Sequence, residues 1–314
     1  MNPTRRQLLV AAGAATGGAA LLAACSDDGE GSNSGSTVAA NPGDTALISE
    51  RTDSEQLSKN FAMVQRFPNH PLFLEGEEAR LAVSILRDGD DATASGLRDN
   101  GPATINGWIE DFNKVKVADI VATRRYEGIN IAYWSTRATL PKAVIHALRF
   151  DGDDGYGAVF EVFDPADVIT PAIGSEMPPF DTPTDDDHRG VEPYCTLAPE
   201  PCPFHSITLR EALALGKPLA YIIGTPAHCT TGTCSPGLQF LMAEAERVGD
   251  AMVCVHADVY TDDAATEIAP AVSVLGVQYE PIIYFVDANG VIVDRLDGIW
   301  DKSELRESVD NLLS

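Results

Sequence analysis

The feature that most constrains this chain is a change of hydrophobic period along its length. Between about residues 60 and 170 apolar side chains recur at every second position. Leu81, Val83 and Ile85 alternate in ARLAVSILR, and Val115 and Val117 alternate ahead of Ile120 in VKVADIVATRR. INIAYWSTRATL, AVIHALRF and AVFEVFD are rich in β-branched and aromatic residues. Period two sends successive side chains to opposite faces of a strand, so this region reads as β-sheet. From residue 207 the period lengthens, and strands alternate with amphipathic helices. The run 171–206 between the two regimes is dense in proline, which can continue neither a sheet nor a helix.

These patterns predict a multidomain chain. Residues 59–180 are expected to form an antiparallel β-sandwich of immunoglobulin-like type, with about six to eight strands divided by Gly/Asp turns such as DGDDGYG. It lacks the Cys…Trp…Cys spacing of that class. Residues 181–206 form a connector carrying Cys195 and Cys202, and residues 207–314 an α/β domain. In the latter, Thr208 and Glu211 have capping-box spacing, and Gly216 and Pro218 mark the helix stop. LAYIIG and AMVCVHADVY read as strands. GLQFLMAEAERVG and DDAATEIAPAVSVLG read as helices. PIIYFVDANGVIVDRLDG reads as a hairpin turning at Asn289-Gly290, and DKSELRESVDNLL as a final helix capped by Asp301 with Glu304.

Residues 1–24 read as an address, not as fold. Arg5-Arg6 precede a small apolar stretch too short to span a bilayer, the pattern of a twin-arginine signal. LLAAC then resembles a lipobox, which makes Cys25 the lipid attachment point. Residues 25–58 are expected to be a flexible tether, rich at first in Gly, Ser, Asp and Asn. The protein is therefore expected at the cell membrane, lipid-anchored on the extracytoplasmic face. With 47 acids against 22 bases and a net charge of −25, the chain has no cationic face for nucleic acid.

Outside the cytoplasm thiols can oxidise and stay oxidised. The chain has six cysteines, and assigning Cys25 to lipid leaves an odd five. Cys195 and Cys202 stand close together amid prolines, and a local structural disulfide is the simplest expectation. A metal site with His188 and His205 is the alternative, but the spacing matches no zinc pattern, and no metal is assigned. Cys254 lies on a predicted central strand as a buried thiol, with His256 two positions along. His146 reads as a packed or surface histidine. The remaining pair, Cys229 and Cys234 in TPAHCTTGTCSPG, falls between a buried strand and a helix.

The order of elements over 207–314 resembles the thioredoxin fold. GKPLAYIIGTPAHC looks like the strand that delivers the first active-site cysteine, with Cys234 at the start of the next helix. YEPIIYF looks like the strand led by that family's cis-proline, here Pro281. GVIVDRLDGIWDKSEL looks like the last hairpin strand and the entry to the final helix. More broadly, residues 60–314 resemble bacterial lipid-anchored thioredoxin-like proteins with an N-terminal β-domain, a paired-cysteine linker and four residues between the dithiol cysteines. The resemblance implies a thiol–disulfide chemistry without a cofactor and without a named substrate. A loop cysteine at a helix N-terminus is stabilised as thiolate by free N–H groups and the helix dipole. Cys229 would attack, Cys234 would resolve the mixed disulfide, and Pro281 would face the pair. The chain departs from the family in three places. TTGT puts four residues between the cysteines, Ile223 stands where a buried acid is common, and His228 replaces an aromatic. A histidine beside a thiol can stabilise its thiolate or be a spectator.

The expected function is thus an extracytoplasmic, membrane-anchored thiol–disulfide oxidoreductase acting at Cys229 and Cys234. Its partners would be exported proteins or redox proteins carrying thiols or disulfides. Two alternatives stay open. One is a non-catalytic binding protein in which Cys229–Cys234 is a permanent bridge. The other is a copper-handling protein in which His228 or His256 joins the cysteines.

Overall fold

The structure is a computed structural model and describes residues 61–68, 72–87, 101–153 and 155–314. The expected signal, the expected lipid attachment at Cys25 and the expected tether lie outside the described residues. Among those described, no helix is long and apolar enough to cross a membrane.

The first eight strands are β1 (Phe61–Gln65), β2 (Phe73–Leu74), β3 (Glu78–Arg87), β4 (Thr104–Asp111), β5 (Lys116–Arg125), β6 (Tyr133–Thr139), β7 (Ile145–Phe150) and β8 (Ala158–Phe163). They form one sheet in the order β1-β3-β6-β5-β4-β7-β8-β2. Every pairing is antiparallel except β2 with β8. The expected sandwich would divide these strands between two facing sheets. Here hydrogen bonding is continuous, and the sheet curls until Gln65 on β1 donates to the Val159 carbonyl on β8. Curling lets one sheet bury its own apolar face, which a flat sheet could do only against a second layer. Leu81, Val83, Ile85, Ile109, Trp134 and Phe150 are among the residues on that inner face, all fully buried.

A second sheet holds β9 (Leu219–Ile223), β10 (Val253–Ala257), β11 (Ile282–Val286) and β12 (Ile292–Asp297) in the order β10-β9-β11-β12. β10 runs parallel to β9, whereas β11 is antiparallel to both β9 and β12. Four helices accompany it: α1 (Leu209–Ala214), α2 (Cys234–Val248), α3 (Pro270–Leu275) and α4 (Lys302–Leu312). Both faces of this sheet are covered. Leu219, Tyr221, Ile223 and Tyr284 pack with α1 and α3, while Ala220, Ile222, Ile283 and Phe285 pack with α2 and α4. Burial on both sides is why LAYII and IIYFV read as unbroken apolar runs.

The capping box at α1 forms as expected, with Thr208 Oγ1 accepting from Glu211 N and the Glu211 carboxylate accepting from Thr208 N. The helix expected over 262–276 shrinks to the six residues of α3. Ahead of it, the Asp262 carboxylate accepts from the backbone of Thr266 and Glu267 and holds a loop instead. At α4 only half of the expected box appears. Asp301 Oδ1 accepts from Glu304 N, but the Glu304 carboxylate is drawn away to Arg80.

That diversion belongs to a buried polar seam between the two sheets. β3 is buried on both faces. Its outward residue Ala82 packs with Tyr133 and Ile299, and its neighbour Arg80 reaches across to α4. Arg80 donates to both Glu304 oxygens at 2.9 and 2.6 Å and to the carbonyls of Asp297 and Ile299. Tyr133 donates to Glu304 and accepts from Asp301 N. The proline-dense connector is likewise ordered against the second sheet. Phe204 O accepts from His256 N, which lays the connector beside edge strand β10.

Candidate functional site

β9 ends at Ile223, and the chain then turns through Gly224 into the loop that carries Cys229. Cys234 is the first residue of α2, as expected from the sequence. The two cysteines are joined by a disulfide with Cα atoms 6.0 Å apart. Cys229 is half-buried, whereas Cys234 is 1% exposed. The Cys234 N–H points at Cys229 Sγ at 3.2 Å, so the free end of the helix is directed at the outer sulfur.

The four residues between the cysteines are tied down. Gly232, at a φ of 69°, makes a turn that side chains other than hydrogen would disfavour, and its N–H donates to Cys229 O. Thr233 Oγ1 donates to Gly298 O at 2.7 Å and lies 2.7 Å from Thr231 Oγ1, which is 3.1 Å from Cys229 Sγ. The extra length is therefore a hydrogen-bonded turn anchored to the loop after β12.

Pro281 follows a cis peptide bond, as the resemblance implied. It also lies beside the dithiol. A methyl group placed on Gly224 would meet Pro281 Cβ at 3.4 Å and Cys234 Sγ at 3.5 Å, so one glycine separates them. His228 is less engaged. Its ring packs edge-on against Tyr260 with centroids 6.1 Å apart, its Nε2 has no partner, and no hydrogen bond joins it to Cys229 among the described residues. At the position of the family's buried acid, Ile223 is fully buried in the apolar core.

A cleft of about 400 Å³ opens beside the disulfide loop. Thr230, Thr231 and Thr233 form one wall, Glu280 and Tyr279 border Pro281, and Gln65 at the end of β1 and Phe67 just beyond it line the other side. Among the described residues Glu280 is the one acid lining it, and sequence reasoning missed it. Burial pushes its carboxyl up from the ordinary range, against the pull of the Thr225 N–H it accepts. Its position immediately before Pro281 was the available signal. A larger cleft of about 500 Å³ lies between the first sheet and α4. The pairs Arg125–Glu307 and Arg137–Asp294 occupy its walls, and among the described residues no cysteine or histidine lines it.

The connector cysteines differ from expectation. Cys195 and Cys202 are free, buried thiols, not the expected disulfide. They turn toward two imidazoles, with Cys202 Sγ 3.4 Å and Cys195 Sγ 3.7 Å from His256 Nδ1. His205 Nε2 is 3.2 Å from the same atom. His188, the other histidine expected as a metal partner, is not in the group. It is bonded to Glu192 and packs on Tyr194. A hydrogen bond from Cys202 and the neighbouring imidazoles favour thiolate at Cys195 and pull its pKa down, and the same sharing holds the proton on Cys202. Burial opposes charge on His256, yet the bond to Cys195 and the nearby Asp258 outweigh it and raise its pKa. Burial pushes the Asp258 carboxyl up to about 7.

His146 is packed, as expected, stacked on Phe160 with Nδ1 2.8 Å from Val144 O. Cys254 lies on edge strand β10, not on a central strand as expected, and is half-buried against the core below α2, where loss of solvent pushes its thiol up to about 12. No protein-family model matches the chain, and comparison with curated proteins finds no match.

Proposed function

We propose that the chain is an extracytoplasmic thiol–disulfide oxidoreductase with a thioredoxin-like second unit, tethered to the membrane through Cys25. The observation that carries this is the asymmetry of the Cys229–Cys234 pair. The outer sulfur is reachable and faces a helix N-terminus, and the inner sulfur is enclosed beside Pro281.

In the oxidised form, a substrate thiolate attacks Cys229 Sγ. The Cys229–Cys234 bond breaks as the new S–S bond forms, and Cys234 leaves as thiolate. A second substrate thiolate then attacks the substrate's own sulfur in the mixed disulfide. Cys229 leaves, its charge stabilised by the Cys234 N–H and the helix dipole. The substrate is oxidised by two electrons and the protein dithiol is reduced. The reverse sequence reduces a substrate disulfide. The cleft between the threonine loop and Phe67 is where the substrate segment would lie, with Glu280 as the nearby proton-accepting group. His228 is not assigned a step, since it contacts Tyr260 instead of the dithiol.

The buried Ile223 favours a second reading, a permanent bridge in a binding protein, because it removes the usual proton relay. One experiment separates them. The Cys234→Ser protein, incubated with a peptide disulfide, is expected to accumulate a mixed disulfide at Cys229, seen by mass spectrometry. Cys229→Ser is expected to accumulate none. Failure of the Cys234→Ser protein to form any adduct would establish the bridge as structural.

A further inference from the structure

We propose that Cys195, Cys202, His205 and His256 form a closed, four-coordinate zinc site that fastens the proline-rich connector to edge strand β10. Their ligand atoms all lie within 4.8 Å of one another, and all four residues are buried. Three come from the connector. The fourth, His256, comes from β10, 51 residues beyond His205.

The protonation of the two histidines makes the group a ligand set. His256 Nε2 lies 2.8 Å from Gly224 O, and His205 Nδ1 lies 3.4 Å from Pro183 O. A carbonyl oxygen only accepts, so each ring carries its hydrogen on that outer nitrogen. A neutral imidazole so fixed has its lone pair on the inner nitrogen. The two inner nitrogens face each other at 3.2 Å, with both sulfurs alongside. Lone pairs held that close are reconciled by a proton or by a metal ion between them, and the two sulfurs alongside complete the donor set that a metal ion takes. An outer-nitrogen bond to a backbone carbonyl is also how metal-binding histidines are commonly oriented.

The spacing fits a tetrahedron of zinc's size. With Zn–N of about 2.0–2.1 Å and Zn–S of about 2.3 Å, tetrahedral edges are roughly 3.3 Å for N–N and roughly 3.6 Å for N–S. The observed separations are 3.2 Å for the nitrogens, and 3.4 and 3.7 Å from His256 to the two sulfurs. The Cys202 N–H also points at Cys195 Sγ at 3.3 Å, which steadies a thiolate. Two thiolates and two neutral imidazoles around a dication sum to zero charge, which a buried site requires. Four protein ligands leave no open position, so the site is structural. It is independent of the Cys229–Cys234 dithiol, although Gly224 touches both. Its carbonyl bonds His256, and its Cα side faces Cys234.

The full chain, purified under reducing conditions, is expected to contain one zinc per chain by elemental analysis. Cobalt exchanged into it should give the intense visible bands of a tetrahedral thiolate site. Cys195→Ser/Cys202→Ser is expected to lose the metal, beyond the ~10- to 100-fold drop that follows loss of an outer partner. Cys229→Ser/Cys234→Ser should retain it, whatever happens to disulfide exchange. Because removing a ligand can unfold the connector, the unmutated chain is also treated with a zinc chelator and followed by hydrogen exchange. Protection should fall across residues 185–206 and persist in β3 and β6. The proposal is overturned if the reduced chain neither contains nor takes up zinc or cobalt. It is equally overturned if peptide mapping of that chain finds Cys195 bridged to Cys202, if copper(I) binds and zinc does not, if the Cys195→Ser/Cys202→Ser protein keeps its zinc, or if chelation leaves connector protection unchanged.

Discussion

Neutralising Glu304 by Glu304→Gln should destabilise the protein by about 3 kcal/mol at neutral pH, and that penalty should vanish in acid. Burial alone would raise the Glu304 carboxyl. The charge and hydrogen bonds of Arg80, with the Tyr133 hydroxyl, outweigh it and hold the pKa at about 2, against an ordinary 4.5. A depressed carboxyl binds its proton less readily when folded than unfolded. Its contribution is therefore complete above about pH 4.5 and is lost as pH falls toward 2. At about 1.36 kcal/mol per pH unit, the shift corresponds to roughly 3 kcal/mol. Breaking a buried ion pair by removing one charge costs a similar ~3–5 kcal/mol. Glutamine keeps the length and an acceptor for Tyr133, so the charge is what changes. Denaturant unfolding of the native and Glu304→Gln proteins, followed by tryptophan fluorescence, gives the gap directly. Other carboxylates titrate equally in both proteins and cancel. The gap should be about 3 kcal/mol at pH 7 and shrink to about 1 kcal/mol near pH 2.5. A gap below about 1 kcal/mol at pH 7, or one that does not narrow in acid, would mean that the seam between the sheets is not held by this pair.

Three further outcomes follow from local geometry. Gly237→Ala on α2 puts a methyl 2.7 Å from the buried Trp300 ring, so overpacking of about 1–3 kcal/mol should exceed the ~1 kcal/mol helix-propensity gain, measured as a lowered melting temperature. Thr208→Ala removes the α1 capping box and should cost about 1 kcal/mol in denaturant unfolding, with no change in mixed-disulfide formation by the Cys234→Ser protein. Cys254 is half-buried with its thiol held near 12, so it should react with iodoacetamide at pH 8 more slowly in the folded protein than in denaturant; equal rates in the two states would refute the raised pKa.

What the sequence made legible was whatever depended on neighbours along the chain. Period two placed Leu81, Val83 and Ile85 on the inner face, the Thr208 box was a local capping feature, the Cys234 helix start followed from the apolar period after it, and Pro281 was marked through the resemblance that YEPIIYF carries. Features set by distant partners were not legible. Arg80 and Ser84 look like the solvent face of an alternating strand, yet Arg80 is covered by α4 and the turn after β12 and is 5% exposed, while Ser84 is bonded to Arg66 and to the Ala132 carbonyl. Glu304 has the spacing of a capping partner, but a charge 224 residues away takes its carboxylate instead. Whether eight alternating strands make two sheets or one curled sheet depends on cross-strand pairing, which alternation does not encode.

The same distinction explains the two cysteine pairs. Cys229 and Cys234 are identified locally because a strand, a loop and a helix start fix both of them. Cys195 and Cys202 suggest a local bridge when only their own segment is considered. Their surroundings become visible once Phe204 O accepts from His256 N and the connector lies along β10, bringing His205 and His256 over the two thiols. Gly224 then stands between the pairs, with the Cys234 sulfur on one side and the His256 ring bonded to its carbonyl on the other. Fixing the connector therefore also fixes the turn from β9 into the dithiol loop, while the Arg80–Glu304 seam fixes the Gly298–Trp300 loop to which Thr233 is bonded. The dithiol is thus held from both sides by contacts made far from it in sequence.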